Sequence, residues 1–281
     1  MRSRVAFARF RTQRSAVAGL IIIGVLFLLA FVGPHLSQWD YHERDFTAFL
    51  EPPSSSHWFG TTQTGGDVFT LTMRGMQKSL LIGVLVALLA TGLAAVVGAT
   101  AGLLGGWPDR ALMWGVDLLL VIPSFLIIAV LSPTLAGKSW LLLVVLIAVF
   151  LWMISARVVR GMTISLSEKE FVLAARYMGV SDRAIVTRHI LPNVASLLIV
   201  DATINVSAAI IAETGLSYFG FGVQPPDVSL GTLIADGTGA ATTQSWLFAF
   251  PAALLVILVL AVNLVGEGLR EALDPTAGEE V

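Results

Sequence analysis

The chain contains no cysteine, which removes disulfides, thiolate nucleophiles and cysteine-ligated metals together. Charge is scarce as well. Only 13% of residues are Asp, Glu, Lys or Arg, about half the share in soluble domains. The balance of 17 basic and 19 acidic side chains leaves a net charge of −2, which offers nucleic acid no bulk attraction. No G-x-x-x-x-G-K-[ST] sequence is present to cradle phosphates, so any ATP hydrolysis must be done by another subunit. There is no repeat of solenoid period and no low-complexity linker.

What is abundant is apolar surface, at 56% of residues. A span needs about 20 apolar residues to cross a hydrocarbon core of about 30 Å. The candidates are Ala16–Gly33, Ser79–Leu104, Ala111–Leu131, Trp140–Ala156, Val194–Ile211 and Trp246–Val265. All must be helices, because lipid offers no partner to a free peptide group. The expected fold class is therefore all-α, a polytopic membrane protein of six transmembrane helices. Residues 1–78 form a basic arm, a first span and an outer segment, and residues 79–281 form a five-helix core. The first apolar run is too long for a signal peptide, and Gly33-Pro34-His35-Leu36-Ser37 after it lacks small residues spaced for cleavage, so a retained anchor is expected.

Orientation follows from the cations. With the N-terminus inside, all 17 Lys and Arg residues face the cytoplasm except Arg44, Arg74, Lys78 and Lys138. Both termini and the polar interval Ser165–Asn193 are then cytoplasmic, in the inner membrane of the cell.

That interval carries a helical pattern. Phe171, Ala174, Ala175 and Met178 fall at i, i+3, i+4 and i+7, giving an apolar face outside any span. Such a face needs a partner. Ser167 followed by Glu170 has the form of a capping box, and Gly179 is expected to stop the helix in the left-handed conformation. A second short helix is expected from Ser181 or Asp182 to Ile190, with Pro192 beginning the next segment.

Ala174, Ala175, Gly179, Leu191 and Pro192 stand at the spacing of the cytoplasmic EAA loop, and the interval resembles that loop of ABC-importer permease subunits. Leu173 and His189 depart from the pattern. The outer stretch His57–Leu80 resembles a signature of the peptide-type permeases through Phe59, Gly60, Thr61, Gly65, Asp67, Val68, Gly75 and Ser79, with Thr62 and Gly66 departing. Residues 215–237 and the C-terminal Asn263–Pro275 resemble the same branch. The resemblance implies a type I ABC importer permease fold, of the C-type subunit of oligopeptide and dipeptide systems. It also implies a sister permease, two ATPase subunits, a solute-binding protein outside and a peptide substrate, with membrane lipid around the spans. No cofactor is expected on this chain; ATP and Mg belong to the ATPases. Coupling would then fall to Glu170, Phe171, Ala174, Ala175, Arg176, Gly179, Arg183, Arg188, Leu191 and Pro192. Within this set the four charged residues make polar contacts around a buried contact of Ala174 and Ala175. Permeases for nickel and other small solutes share this architecture, so the substrate stays open at this stage.

Within the spans, Asp117 and Asp201 are costly, at about 2.5–3.5 kcal/mol for a carboxylate at a helix centre, so they must face protein or water. Two readings are open: a place on the translocation path, or pairing of Asp117 with Arg110 or a neighbouring subunit and of Asp201 between helices. Glu213, just past the fifth apolar run, is assigned to an outer gate. Pro123 is expected to kink the third helix, and Gly98 and Gly102 to admit a close neighbour.

Rival chemistries fail on particular residues. Gly215-Leu216-Ser217 offers a serine-protease turn, but Phe219 breaks G-x-S-x-G and no histidine lies within a span. His42-Glu43 is followed by Phe46 where a zinc site needs its second histidine. An ion-coupled carrier built on Asp117 and Asp201 would leave the apolar face of the Ser165–Asn193 interval without a purpose.

Overall fold

The computed structural model describes residues 8–135 and 139–273. Arg2, Arg4, Lys138 and the C-terminal Asp274 and Pro275 lie outside the described residues. Among the described residues, beyond a short helical stretch at 8–12, the α-helices are α1 Arg14–Leu36, α2 Val68–Leu104, α3 Gly106–Val121, α4 Ser124–Leu135, α5 Leu141–Ser167, α6 Glu170–Tyr177, α7 Asp182–Ile185, α8 Leu191–Tyr218, α9 Leu230–Thr238 and α10 Trp246–Leu273. Among the described residues five uninterrupted helices are long and apolar enough to cross a membrane, and α3 with α4 forms a bent pair that is long and apolar enough when the two are counted together as one span. No strand occurs among the described residues beyond one isolated bridge, Thr61 to Asp67.

The third span departs from the single kinked helix that the sequence led us to expect. It breaks outright, with 74° between its halves. Pro123 explains the break, since its ring disfavours helical backbone at the preceding residue. Ile122 accordingly takes extended angles, φ −81° and ψ 124°.

The second span is longer than expected, because the helix starts at Val68 rather than Ser79. Asp67 caps it, accepting the Thr70 N–H at 2.9 Å. Its 37 residues would extend roughly 55 Å at 1.5 Å per residue. It therefore emerges from the hydrocarbon and joins the folded outer segment.

That segment is compact, not a loose loop. Thr61 donates its N–H to Glu51 at 3.0 Å, and Asp45 donates to Gly65 at 2.8 Å. His57 is buried at its centre, stacked on Trp39 at 4.8 Å, 3.0 Å from Asp67 and 3.5 Å from Asp45. Hydrogen bonds from Thr47, side chain and backbone, with a further contribution from His57, hold the Asp45 carboxyl below its usual value.

The most extensive helix pairing joins α2 to α5. A Cβ on Gly98 would lie 2.4 Å from the Ala156 carbonyl oxygen, and one on Gly102 would lie 2.7 Å from that of Arg160. The two backbones touch where lipid supplies no hydrophobic drive for association, so close van der Waals approach does the joining. Above this contact, Ile82, Val86 and Ala90 of α2 pack with Val144 and Ile147 of α5 and Ala209 of α8. Outside it, α1 lies along α10, where Gly19 meets the Ala261 carbonyl.

Two outcomes test this packing. Gly102→Leu should destabilise the detergent-purified protein by about 1–3 kcal/mol, as overpacking does, whereas Gly92→Ala, with open space around it, should be neutral or slightly stabilising in the same thermal unfolding assay. Because the folded-state pKa of Asp45 is depressed, its contribution to the outer segment is complete above the ordinary 3.8 and is lost as pH falls through the folded value. Amide exchange at Thr47 should therefore accelerate more than its intrinsic chemistry requires in that acid window, and Asp45→Asn should abolish the pH dependence.

Candidate functional site

The interval between α5 and α8 folds as helix, turn, helix, although its start differs from expectation. No capping box forms: the N-cap is Lys169 without a side-chain cap, and the Ser167 hydroxyl donates backward to Ile164 at 2.7 Å. A serine in the last turn of a helix finds that carbonyl closer than the amides ahead of it. The stop is as expected. Gly179 has φ +76°, its N–H reaches Arg176 at 3.0 Å, and the Val180 N–H reaches Ala175 at 3.1 Å. This paired closure satisfies the last carbonyls of α6.

The second helix does not end before Pro192. From Val186 to Ile190 the chain makes a π turn and continues into α8, so one helical stretch runs from Asp182 to Tyr218. Pro192 lacks an N–H and crowds the carbonyl four residues back; the wider turn, closed by the Leu191 N–H to Val186, removes that conflict.

The apolar face divides in two. Val172 is 0% exposed and Ala175 2%, packed with Ile185 and Ile190 onto Ala99, Leu103 and Val159 at the ends of α2 and α5. Arg176 adds a donor to the Leu103 carbonyl at 3.4 Å. Ala175 is thus packed inside this chain: it lies one helical turn from Val172, on the inward ridge. Phe171, Ala174 and Met178 stay exposed, Met178 at 75%. Tyr177, which the sequence reading passed over, joins them at 89%; an aromatic three residues after Ala174 was the available signal. Glu170, Arg183, Arg188 and Pro192 are exposed around this patch, Leu191 is half-buried, and the Phe171 ring stands 6.4 Å from that of His189, bridging the two helices.

The acids expected inside the spans occupy three different settings. Asp201 lies between helices: it accepts from Thr91 of α2 at 2.9 Å, from Asn205 of α8 at 3.0 Å and from Ser155 of α5. It also borders a cleft of about 240 Å³ whose wall includes Arg270. Asp117 pairs with Arg157 of α5, not with Arg110. One turn further along α5, Arg160 grips Asp109 through two nitrogens, the second at 2.6 Å. Two arginines on one face of α5 thereby hold the lower half of the broken span.

Glu213 lies within α8, which continues to Tyr218. It is fully buried, its Oε1 accepting the hydroxyls of Ser217 at 2.6 Å and Ser229 at 2.7 Å, while Oε2 has no donor in good hydrogen-bonding geometry among the described residues. Its position ties α8 to the start of α9. Lys78, placed outside the spans by charge counting, is also buried. Its ammonium reaches Asp227 at 2.7 Å and lies over the Trp140 ring at 4.4 Å, a cation with both an anion and an aromatic face. Among the described residues no cluster of histidine or carboxylate groups is arranged to hold a metal ion.

Comparison with known proteins fits this architecture. The family described as binding-protein-dependent transport system inner membrane component matches residues 94–278, and the N-terminal TM domain of oligopeptide transport permease C matches residues 2–53. The oligopeptide transport system permease protein OppC of Mycobacterium tuberculosis (strain H37Rv) is 56% identical over 277 residues, 98% of this chain and 95% of that protein. OppC of Bacillus subtilis (strain 168) is 37% identical over 270 residues, 96% of this chain and 88% of its own length. A putative peptide permease protein of Brucella suis biovar 1 is 37% identical over 271 residues, 96% and 89% of the two chains. With the matched core enclosing the spans from the end of α2 onward, and relatives aligned along nearly the full length, this multi-pass chain belongs to the binding-protein-dependent transport system inner membrane components.

Proposed function

We propose that this permease subunit imports oligopeptides by alternating access, driven by separate ATPase subunits that clasp α6, the Gly179 turn and α7. The observation that carries the substrate class is the 56% identity over 277 residues to a relative named for oligopeptide transport. Docking is supported by the exposed patch of Phe171, Ala174, Tyr177 and Met178, an apolar surface of the kind that marks a protein contact. Glu170, Arg183 and Arg188 supply a polar rim. The chain holds no phosphate-cradling sequence of its own, so the energy source is the partner.

In this reading both termini and the α6–α7 element face the cytoplasm, because the cations concentrate at that end. A sister permease completes the path and a solute-binding protein delivers peptide on the opposite face. Closure of the ATPases moves the docked element, and α8, continuous with α7 through the π turn, rotates with it. Asp201, held by α2, α5 and α8 at once, is placed to feel that rotation, and the Arg157–Asp117 pair is placed to break and reform as α3 shifts.

Separate variants distinguish docking from folding. Ala174→Arg and Met178→Arg change exposed side chains, so expression and melting temperature should hold while ATP-driven oligopeptide uptake into proteoliposomes falls at least tenfold. Ala175→Arg places a cation in a closed site and should lower the melting temperature of the chain itself. Normal uptake by both exposed-face variants would exclude this surface as the ATPase contact.

A further inference from the structure

Far from α6, two clefts of about 470 and 440 Å³ open between the outer segment and α9. Tyr41, Arg44, Leu71, Val228 and Asp236 line both, so they are two lobes of one groove. Each lobe has the size of a small-molecule site, roughly 300–1,000 Å³. Neither lobe is used by the docking patch or by the acids inside the spans.

The charges in this groove are arranged in an uncompensated way. Asp236, on α9, receives no hydrogen bond and forms no ion pair among the described residues, and crowding by the groove walls raises its carboxyl above the usual value. The Arg44 guanidinium donates to the Thr64 hydroxyl and forms no ion pair among the described residues. Nearby acids are engaged elsewhere: Asp227 holds Lys78 at 2.7 Å, and Glu43 accepts the Asp40 N–H at 3.0 Å. A cation and an anion thus share a wall without pairing with each other. Gln63 and Gln244, in the larger lobe, add amides able to meet a peptide backbone, and Leu71 and Val228 add apolar wall.

We propose that the groove is a subsite for a short zwitterionic peptide, its α-ammonium donating to the Asp236 carboxylate and its α-carboxylate accepting from Arg44. Peptide is preferred over a single metal ion or a lone cation because only a ligand with both charges and a polar backbone uses both residues. The inference rests on the peptide reading of the permease and on the groove facing the side from which substrate arrives. A peptide held there waits at the mouth of the path, outside the spans.

The test uses the intact permease and ATPase complex in lipid nanodiscs, without its binding protein, and trialanine as the probe. Saturation-transfer NMR titration should give an affinity for trialanine that Asp236→Asn weakens about tenfold, the value of one charge-assisted contact. For N-acetyl-trialanine the same variant should bind as the parent does. Arg44→Gln should behave in the complementary way, weakening trialanine and leaving trialanine amide unaffected. Unchanged melting temperatures identify the losses as local, and Asp236→Ser serves should the asparagine variant fold poorly. The proposal is overturned if Asp236 variants bind trialanine like the parent, if the blocked peptides lose as much as the free one, or if the variants lose only association with the binding protein. Uptake in proteoliposomes supplied with binding protein separates the two readings. Absence of peptide uptake by the parent complex removes the peptide reading itself, while normal uptake with unaltered trialanine affinity in the variants removes only the groove.

Discussion

Contact between the backbones of α2 and α5 is the constraint on which the rest of this structure stands. Inside a bilayer, apolar side chains gain little by leaving lipid for protein, so helices adhere where their surfaces are flat enough to touch. Gly98 and Gly102 provide that flatness, and the carbonyls of Ala156 and Arg160 fill it. Everything at the α6 end inherits the result. Ala99, Leu103 and Val159, brought together by this contact, form the floor on which Val172, Ala175, Ile185 and Ile190 sit. A residue with a side chain at either glycine would separate the helices and dissolve that floor.

Charge inside the spans follows the same economy of partners. Four ionisable groups in or beside the spans have specific counterparts on other elements: Asp201 across three helices, Asp109 on Arg160, Asp117 on Arg157, Lys78 on Asp227. These pairs join elements far apart in sequence and cross-link a bundle that has few other directional contacts. Desolvation makes each one costly to break unless both partners move together. Glu213 differs, with one oxygen doubly hydrogen-bonded and the other closed in beside Gly231.

Apolar runs made the spans legible: five coincide with uninterrupted helices and the run Ala111–Leu131 with the bent pair of α3 and α4. Their ends were less so, because a helix that leaves the hydrocarbon keeps its backbone bonds and loses only its greasy signature, as α2 does between Val68 and Ser79. The break at Pro123 was readable as a site, but its angle depends on the packing of each half. Pairing partners were hidden for a similar reason: Arg110 is closer to Asp117 in sequence, yet Arg157 projects from the helix alongside. At the helix-turn-helix, the glycine stop was unambiguous because few other residues adopt its backbone angles. Which half of the apolar stripe turns inward was not, since a helix of 8 residues shows two plausible faces and only the neighbouring floor chooses between them. The outer groove escaped notice altogether. Its walls come from residues around Tyr41, Leu71 and Asp236, and no local pattern announces that they converge.

The π turn from Val186 to Ile190 has a mechanical meaning. A flexible joint there would let the short helix tilt while its long neighbour stood still, dissipating the stroke. A single extra residue in the winding accommodates proline without interrupting the helix, so the segment from Asp182 to Tyr218 is continuous. Under the proposed docking at its foot, a displacement there would reach Asp201 through an unbroken run of helical backbone.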